Sequence, residues 1–225
     1  MKENAPAPFM NWLEKHWFLI FVISFGLWVW IPFLAPLFMR LGWDIPAKIV
    51  YTIYSFFCHQ LPERSFFFFG PKVSYSLSEI QAAWMDTINP LLLRKFIGTP
   101  EMGWKIAWSD RMISLFGGIW LAALIWYPLR SYARSLPALF LALFLLPMIL
   151  DGSSHFISDL TEIGLGFRDS NLWLANLTRF NFSPSFYAGD GLGSFNSWMR
   201  LVTGLLAGVG LVWFVFPYLD IALSE

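Results

Sequence analysis

The chain has 225 residues, of which 57% are hydrophobic, 20% aromatic and 13% charged, with 15 basic side chains against 15 acidic ones. A soluble domain carries about 25% charged residues, so an ordinary soluble fold is excluded, and the balanced charge excludes the basic face that nucleic acid requires. A single cysteine excludes an intrachain disulfide framework and a multi-thiolate metal cage.

Trp17 to Met39 contains no charged residue. At about 1.5 Å per residue it can cross a hydrocarbon core of roughly 30 Å, with kinks expected at Pro32 and Pro36. Its length, and the lack of a small-x-small site after it, read as a span rather than a signal peptide. Ile45 to Phe57 is interrupted by Lys48 and reads as an interfacial helix that delivers Cys58 to the membrane surface. The stretch SFFCHQLPERSFFFFG (55–70) then sets polar groups between walls of phenylalanine, and reads as a surface turn presenting Cys58, His59 and Arg64 to a polar pocket.

Ser76-Leu-Ser-Glu79 is a capping-box pattern, with a helix expected through Gln81, Trp84 and Met85. Leu91 to Phe96 reads as a second short surface helix. Further spans are expected at 112–128, 135–150 and 201–219. The polar segment 151–199, rich in Gly, Ser, Asn and Phe, reads as an ordered loop or small cap. The expected fold is therefore an all-α integral membrane protein: one membrane domain over 1–225, with spans at about 17–39, 112–128, 135–150 and 201–219. Segments 40–111 and 151–200 are interfacial and extracytoplasmic. The short loop 129–135 carries Arg130 and Arg134 and no acid, so the positive-inside rule puts it, and with it both termini, on the cytoplasmic side of the cell (inner) membrane.

Four polar clusters fall at span boundaries. They are Cys58-His59-Gln60 with Glu63 and Arg64; Ser109-Asp110-Arg111; Asp151-Gly152 with His155; and Asn196 with Arg200. The topology brings them to one membrane level, where charges need partners and mark functional sites. Each also has a plain structural role open to it. Asp110 suits a helix N-terminus, Asp151-Gly152 a helix stop, and the arginines can snorkel to headgroups. His59, Asp151 and His155 form a mixed ligand set for a divalent metal such as zinc or iron. The i, i+4 spacing of Asp151 and His155 is helical, but Gly152-Ser-Ser reads as a turn. Cys58 as a nucleophile, with His155 as its base, is a further option. Gly204 and Gly208 form a GxxxG face suited to close helix packing or a homo-oligomer. Asn176-Leu-Thr178 fits a glycosylation sequon.

Cys58-His59-Gln60, Arg64-Ser65-Phe66, Asp151-Gly152 and Arg200-x-x-Thr203-Gly204, in that order, resemble the motifs of a family of small prokaryotic membrane proteins classed as a domain of unknown function. The resemblance runs from about residue 45 to 220. It departs at Ser109-Asp110-Arg111-Met112, where the family pattern has cysteines at the two outer positions, and at His155, where it has Gln. It also departs in the longer segment 71–108. The resemblance implies a shared site and no particular chemistry. Two functions stay open. One is binding or chemistry on a membrane lipid or its headgroup, for which three arginines suit a phosphate or carboxylate. The other is a non-catalytic accessory subunit of a larger membrane complex.

Overall fold

The computed structural model describes residues 8–223. Four of its helices are long and apolar enough to cross a membrane: α1 (Pro8–Arg40), α5 (Asp110–Leu129), α6 (Ala138–Asp159) and α10 (Phe195–Ala222). Trp17 meets Trp126 and Phe25 meets Phe116, so α1 and α5 run antiparallel. Arg200 meets Asp110 and Phe216 meets Trp126, so α5 and α10 run parallel. The loop 130–137 therefore lies at the same end as the start of α1 and the end of α10. Arg130 pairs with Asp220 there, at 3.7 Å. Asp110 lies 20 residues away along α5, about 30 Å, which matches the thickness of a hydrocarbon core.

Small residues set the spacing of the bundle. A Cβ at Gly204 would fall 2.2 Å from Ser114 Oγ, and one at Gly208 would fall 2.8 Å from the Ile119 backbone nitrogen. The GxxxG face is thus covered by α5 of the same chain, so it is not the face of a homo-oligomer contact in this fold. Its glycines allow the backbone-to-backbone approach that binds helices in lipid, where no hydrophobic driving force acts between them.

The segment between α1 and α5 differs from the expected pair of surface helices. After α2 (Asp44–Tyr54) the chain forms a 3-10 turn at Pro62–Arg64 and strand β1 (Ser65–Phe68). Helix α3 (Leu77–Ala83) and the single turn α4 (Pro90–Leu93) follow, then β2 (Gly98–Thr99) and β3 (Gly103–Ser109). The strands form an antiparallel sheet in the order β1-β3-β2, with Ser65 opposite Ser109, Phe67 opposite Lys105, and a bulge between Ser65 and Phe67. The capping box at Ser76 and Glu79 forms, but the helix ends at Ala83, short of Trp84. β3 packs along the upper part of α1 and runs directly into α5. Trp108 is buried against Trp28 and Tyr54. α2 buries Ala47, Val50, Tyr51 and Tyr54, a helical stripe, and Tyr51 Oη donates to the Lys105 carbonyl at 2.5 Å.

α6 does not stop at Asp151-Gly152. It continues two more turns to Asp159, and the supposed turn Gly152-Ser-Ser is helical. Three short helices, α7 (Phe167–Ser170), α8 (Leu172–Leu177) and α9 (Pro184–Tyr187), make up the cap between α6 and α10.

Candidate functional site: an ion-pair floor under an open cleft

The site lies where β3 turns into α5, at the end of the bundle away from Arg130. Asp110 is the first residue of α5 and caps the Arg111 N–H at 2.8 Å. Its carboxylate also accepts from Arg200 Nε at 2.8 Å to each oxygen. Arg200 reaches the other way to Asp190, donating to its Oδ1 at 2.5 Å and its backbone carbonyl at 2.6 Å. Asp190 Oδ2 accepts from Arg64 Nε at 2.7 Å, and the rest of that guanidinium pairs with both oxygens of Asp159 at 2.7 Å each. A second chain runs beside the first. Asp151 accepts from Arg111 Nη2 at 2.7 Å and from Arg168 Nη2 at 2.6 Å, and the same Arg168 Nη2 donates to His155 Nε2 at 3.1 Å.

Four arginines thus face four aspartates, and Arg200, Asp110, Asp151 and Asp190 are nearly fully buried. Buried charges persist only when paired and hydrogen-bonded in this way. Burial alone would push the Asp190 carboxyl up, but Arg64 and Arg200 outweigh it and hold the group well below the ordinary carboxylate range. Burial likewise works against the Arg64 charge, and Asp190 and Asp159 restore it.

Above this floor opens a cleft of about 340 Å³. Cys58, His59, Gln60, Arg64, Asp110, Arg111, His155 and Arg200 line it, so eight of the nine residues singled out from the sequence meet at one place. The ninth, Asp151, lies behind the wall, enclosed by its two arginines. Phe156, Leu160, Ile163, Pro90 and Met112 give the cleft an apolar border, on which Phe156 and Leu160 are strongly exposed. Gly152 makes room for the Arg111 crossing, since a Cβ there would come within 3.0 Å of Arg111 Nη1.

Individual roles differ from the expected ones. Gln60 adopts a left-handed backbone (φ 54°), is buried, and donates through Nε2 to the carbonyls of Tyr51 and Ala107, 3.0 Å each. It ties α2 to β3 and acts structurally. Cys58 is buried, and its Sγ accepts from the backbone N–H groups of Gln60 and Ser109 at 3.4 Å. His59 is exposed at the cleft. As for a metal, Asp151 has both oxygens taken by guanidiniums. No group of three or more His, Cys, Asp or Glu side chains poised to hold an ion occurs among the described residues. His59, Asp151 and His155 therefore do not form a ready-made ligand set here.

Sequence reasoning missed Asp159, Arg168 and Asp190, which complete the network from the cap and from the added turns of α6. Lys105 and Glu63 are two further buried residues of charged type. Lys105 Nζ donates to the Gln60 and Arg94 carbonyls, at 2.6 and 2.8 Å. Neither oxygen of Glu63 has a hydrogen-bond partner. Burial pushes the Glu63 carboxyl from 4.5 up to about 7, against the pull of Arg64. Burial pulls Lys105 down to about 7, with Glu63 opposing. A raised carboxyl holds its proton in the fold where the unfolded chain has lost it. The stability this contributes is full below about pH 4.5 and is lost as pH rises through about 7. Glu63→Gln is therefore expected to match the wild type below pH 4.5 and to exceed it above pH 7, by on the order of 3 kcal/mol. Thermal unfolding in detergent across pH 4 to 9 measures the difference; equal stability at every pH would contradict it.

Fold and site together define a multi-pass α-helical membrane protein with a charge-paired cleft at one end of its bundle. The sequence profile of the family described as "Predicted membrane protein (DUF2085)" matches residues 101–214, and the chain belongs to that family. The match takes in Asp110, Arg111, Asp151, His155, Arg168, Asp190 and Arg200, and leaves Cys58 to Arg64 outside it. Over 65 residues the chain is 43% identical to Uncharacterized protein MJ1492 of Methanocaldococcus jannaschii, covering 27% of this chain and 42% of that protein. The chain thus aligns with less than half the length of that relative. No solved structure matches.

Proposed function

We propose that this is a binding protein for an amphiphile of the membrane, which seats the polar head of a lipid-like molecule in the cleft while its chains leave past Phe156 and Leu160. The observation that carries the reading is the cleft itself, with a polar, charge-balanced floor and an apolar border, one hydrocarbon thickness from Arg130 and Asp220. Sites of this size that are apolar apart from a few converging polar groups are where small ligands bind. The Arg-bearing loop 130–137 argues that the cleft faces the outside of the cell membrane.

Delipidated protein in a neutral detergent provides the test. Added phospholipid is expected to raise the unfolding temperature of the wild type, because a ligand bound only by the fold stabilises it. Met112→Trp, which puts an indole into the cleft, is expected to abolish that rise. An equal rise in both proteins would mean that lipid acts elsewhere on the surface.

A second reading rests on a separate observation. α1 runs 12 residues, about 18 Å, past Trp28. Trp30, Leu34 and Leu37 of α1 and Leu41 just beyond its end are exposed, as are Ile45, Ile49 and Ile53 of α2, which packs against α1. An apolar surface at that height suits a neighbouring subunit, which supports the accessory-subunit reading.

A further inference from the structure

Clustered arginines suit an anion, but every guanidinium nitrogen of Arg64 and Arg200 already donates to Asp110, Asp159 or Asp190. What the cleft leaves without partners is a different pair of groups. Arg168 can only donate, so the 3.1 Å contact makes His155 Nε2 the acceptor and puts the ring proton on Nδ1. That Nδ1–H has no acceptor, although His155 is 3% exposed and forms part of the cleft wall. Arg111 commits Nη2 to Asp151, while its Nε–H, buried in the same wall, also lacks an acceptor. Two buried donors without acceptors, one from α5 and one from α6, thus belong to residues that line one cavity. Buried donors without acceptors are rare in folded proteins and cost roughly 1–3 kcal/mol each.

We infer that the cleft recognises a phosphoryl group, whose non-bridging oxygens accept from Arg111 Nε–H and His155 Nδ1–H. Three features select this chemistry. The missing partner must be an acceptor, because both protein groups are donors. It must accept from two helices at once, which a phosphoryl centre does with separate oxygens. It must also carry little charge, because four arginines are already cancelled by four aspartates. A singly charged phosphodiester fits that balance better than a phosphate dianion. The cleft's place at the edge of the hydrocarbon zone is where the phosphates of a bilayer lie. The source is either a lipid headgroup or free phosphate. The inference rests on the amphiphile reading for its apolar border, and on the two donors alone for its phosphoryl group.

The test is 31P and ligand-observed 1H NMR binding to the purified full chain in a non-ionic detergent. The probes are dihexanoylphosphatidylglycerol, inorganic phosphate and uncharged dihexanoylglycerol. Arg111→Lys keeps a cation for Asp151 and removes the Nε–H; His155→Met removes the Nδ1–H; His155→Gln restores a donor. The phosphodiester is expected to bind the wild type, with Arg111→Lys and His155→Met each weakening it about tenfold or more, and His155→Gln recovering most of the loss. Melting curves on each variant separate lost binding from lost fold, and the recovery by Gln carries the test if Met fails to fold. Binding of inorganic phosphate as tight as that of the diester, with the same sensitivity to the variants, would keep the phosphoryl group and overturn the lipid as its source. Equal binding of dihexanoylglycerol, unaffected by Arg111→Lys, would overturn the phosphoryl inference and leave the amphiphile reading standing. No binding of any probe would overturn both.

Discussion

Asp190→Ala is expected to be among the most damaging single changes in the protein, costing about 3–5 kcal/mol of stability. Asp190 joins Arg64 to Arg200, whose side chains are 12% and 3% exposed. Removing it does not simply subtract two salt bridges. It leaves the buried Arg200 and the part-buried Arg64 short of a counter-charge, and that penalty exceeds the net worth of the pairs. Arg64 would keep Asp159 and Arg200 would keep Asp110, so the loss falls short of two unpaired charges. The pH dependence has a defined sign. A carboxyl held below its ordinary range contributes stability above about pH 4, and that contribution is lost as pH falls through the depressed folded value. Thermal melts from pH 3 to 8 should therefore show a shallower acid limb in Asp190→Asn than in the wild type. A variant with wild-type stability at neutral pH would mean that the network is not the clamp described here.

Gly208→Val is expected to be comparably severe, for a reason independent of charge. The new Cβ would sit 2.8 Å from the Ile119 nitrogen and 2.9 Å from the Leu115 carbonyl oxygen. Both are backbone atoms and cannot rotate away, so α5 and α10 must separate. Overpacking usually costs about 1–3 kcal/mol; a clash with backbone on a main helix contact should reach or pass the top of that range. The site would suffer too, because Arg200 and Asp110 lie on the same two helices, two turns further along. The yield of monodisperse protein after detergent extraction reads the effect, with Gly117→Val as control, since nothing lies within 4 Å of a Cβ there. Equal yields from the two variants would contradict the packing account.

The four spans were legible because an apolar run of about 20 residues has few alternatives in a chain with this composition. The convergence of polar residues was legible from topology alone: boundaries of successive spans alternate between two ends of a bundle. The sheet was not. β3 is buried on both faces apart from its last residue, so Gly-Trp-Lys-Ile-Ala-Trp-Ser lacks the alternation that marks a half-buried strand. Lys105 in its middle is hydrogen-bonded to two carbonyls, which no sequence pattern announces. Helix α6 was cut short because Asp-Gly is a common stop. Here the glycine gives Arg111 room to cross, and the helix goes on to place His155 and Asp159. Arg168 and Asp190 come from the cap, where no periodicity links a residue to its place, so only the fold could bring them to the site.

Native mass spectrometry of the protein extracted from its own membrane, beside Met112→Trp, tests the central claim most directly. The account predicts one tightly held, phosphorus-containing lipid mass per chain in the wild type, surviving the activation that strips detergent, and its absence from the variant. A bare wild-type chain, or one that retains a stoichiometric protein partner and no small molecule, would contradict it. The second of these results would turn attention to the apolar face of α1 and α2.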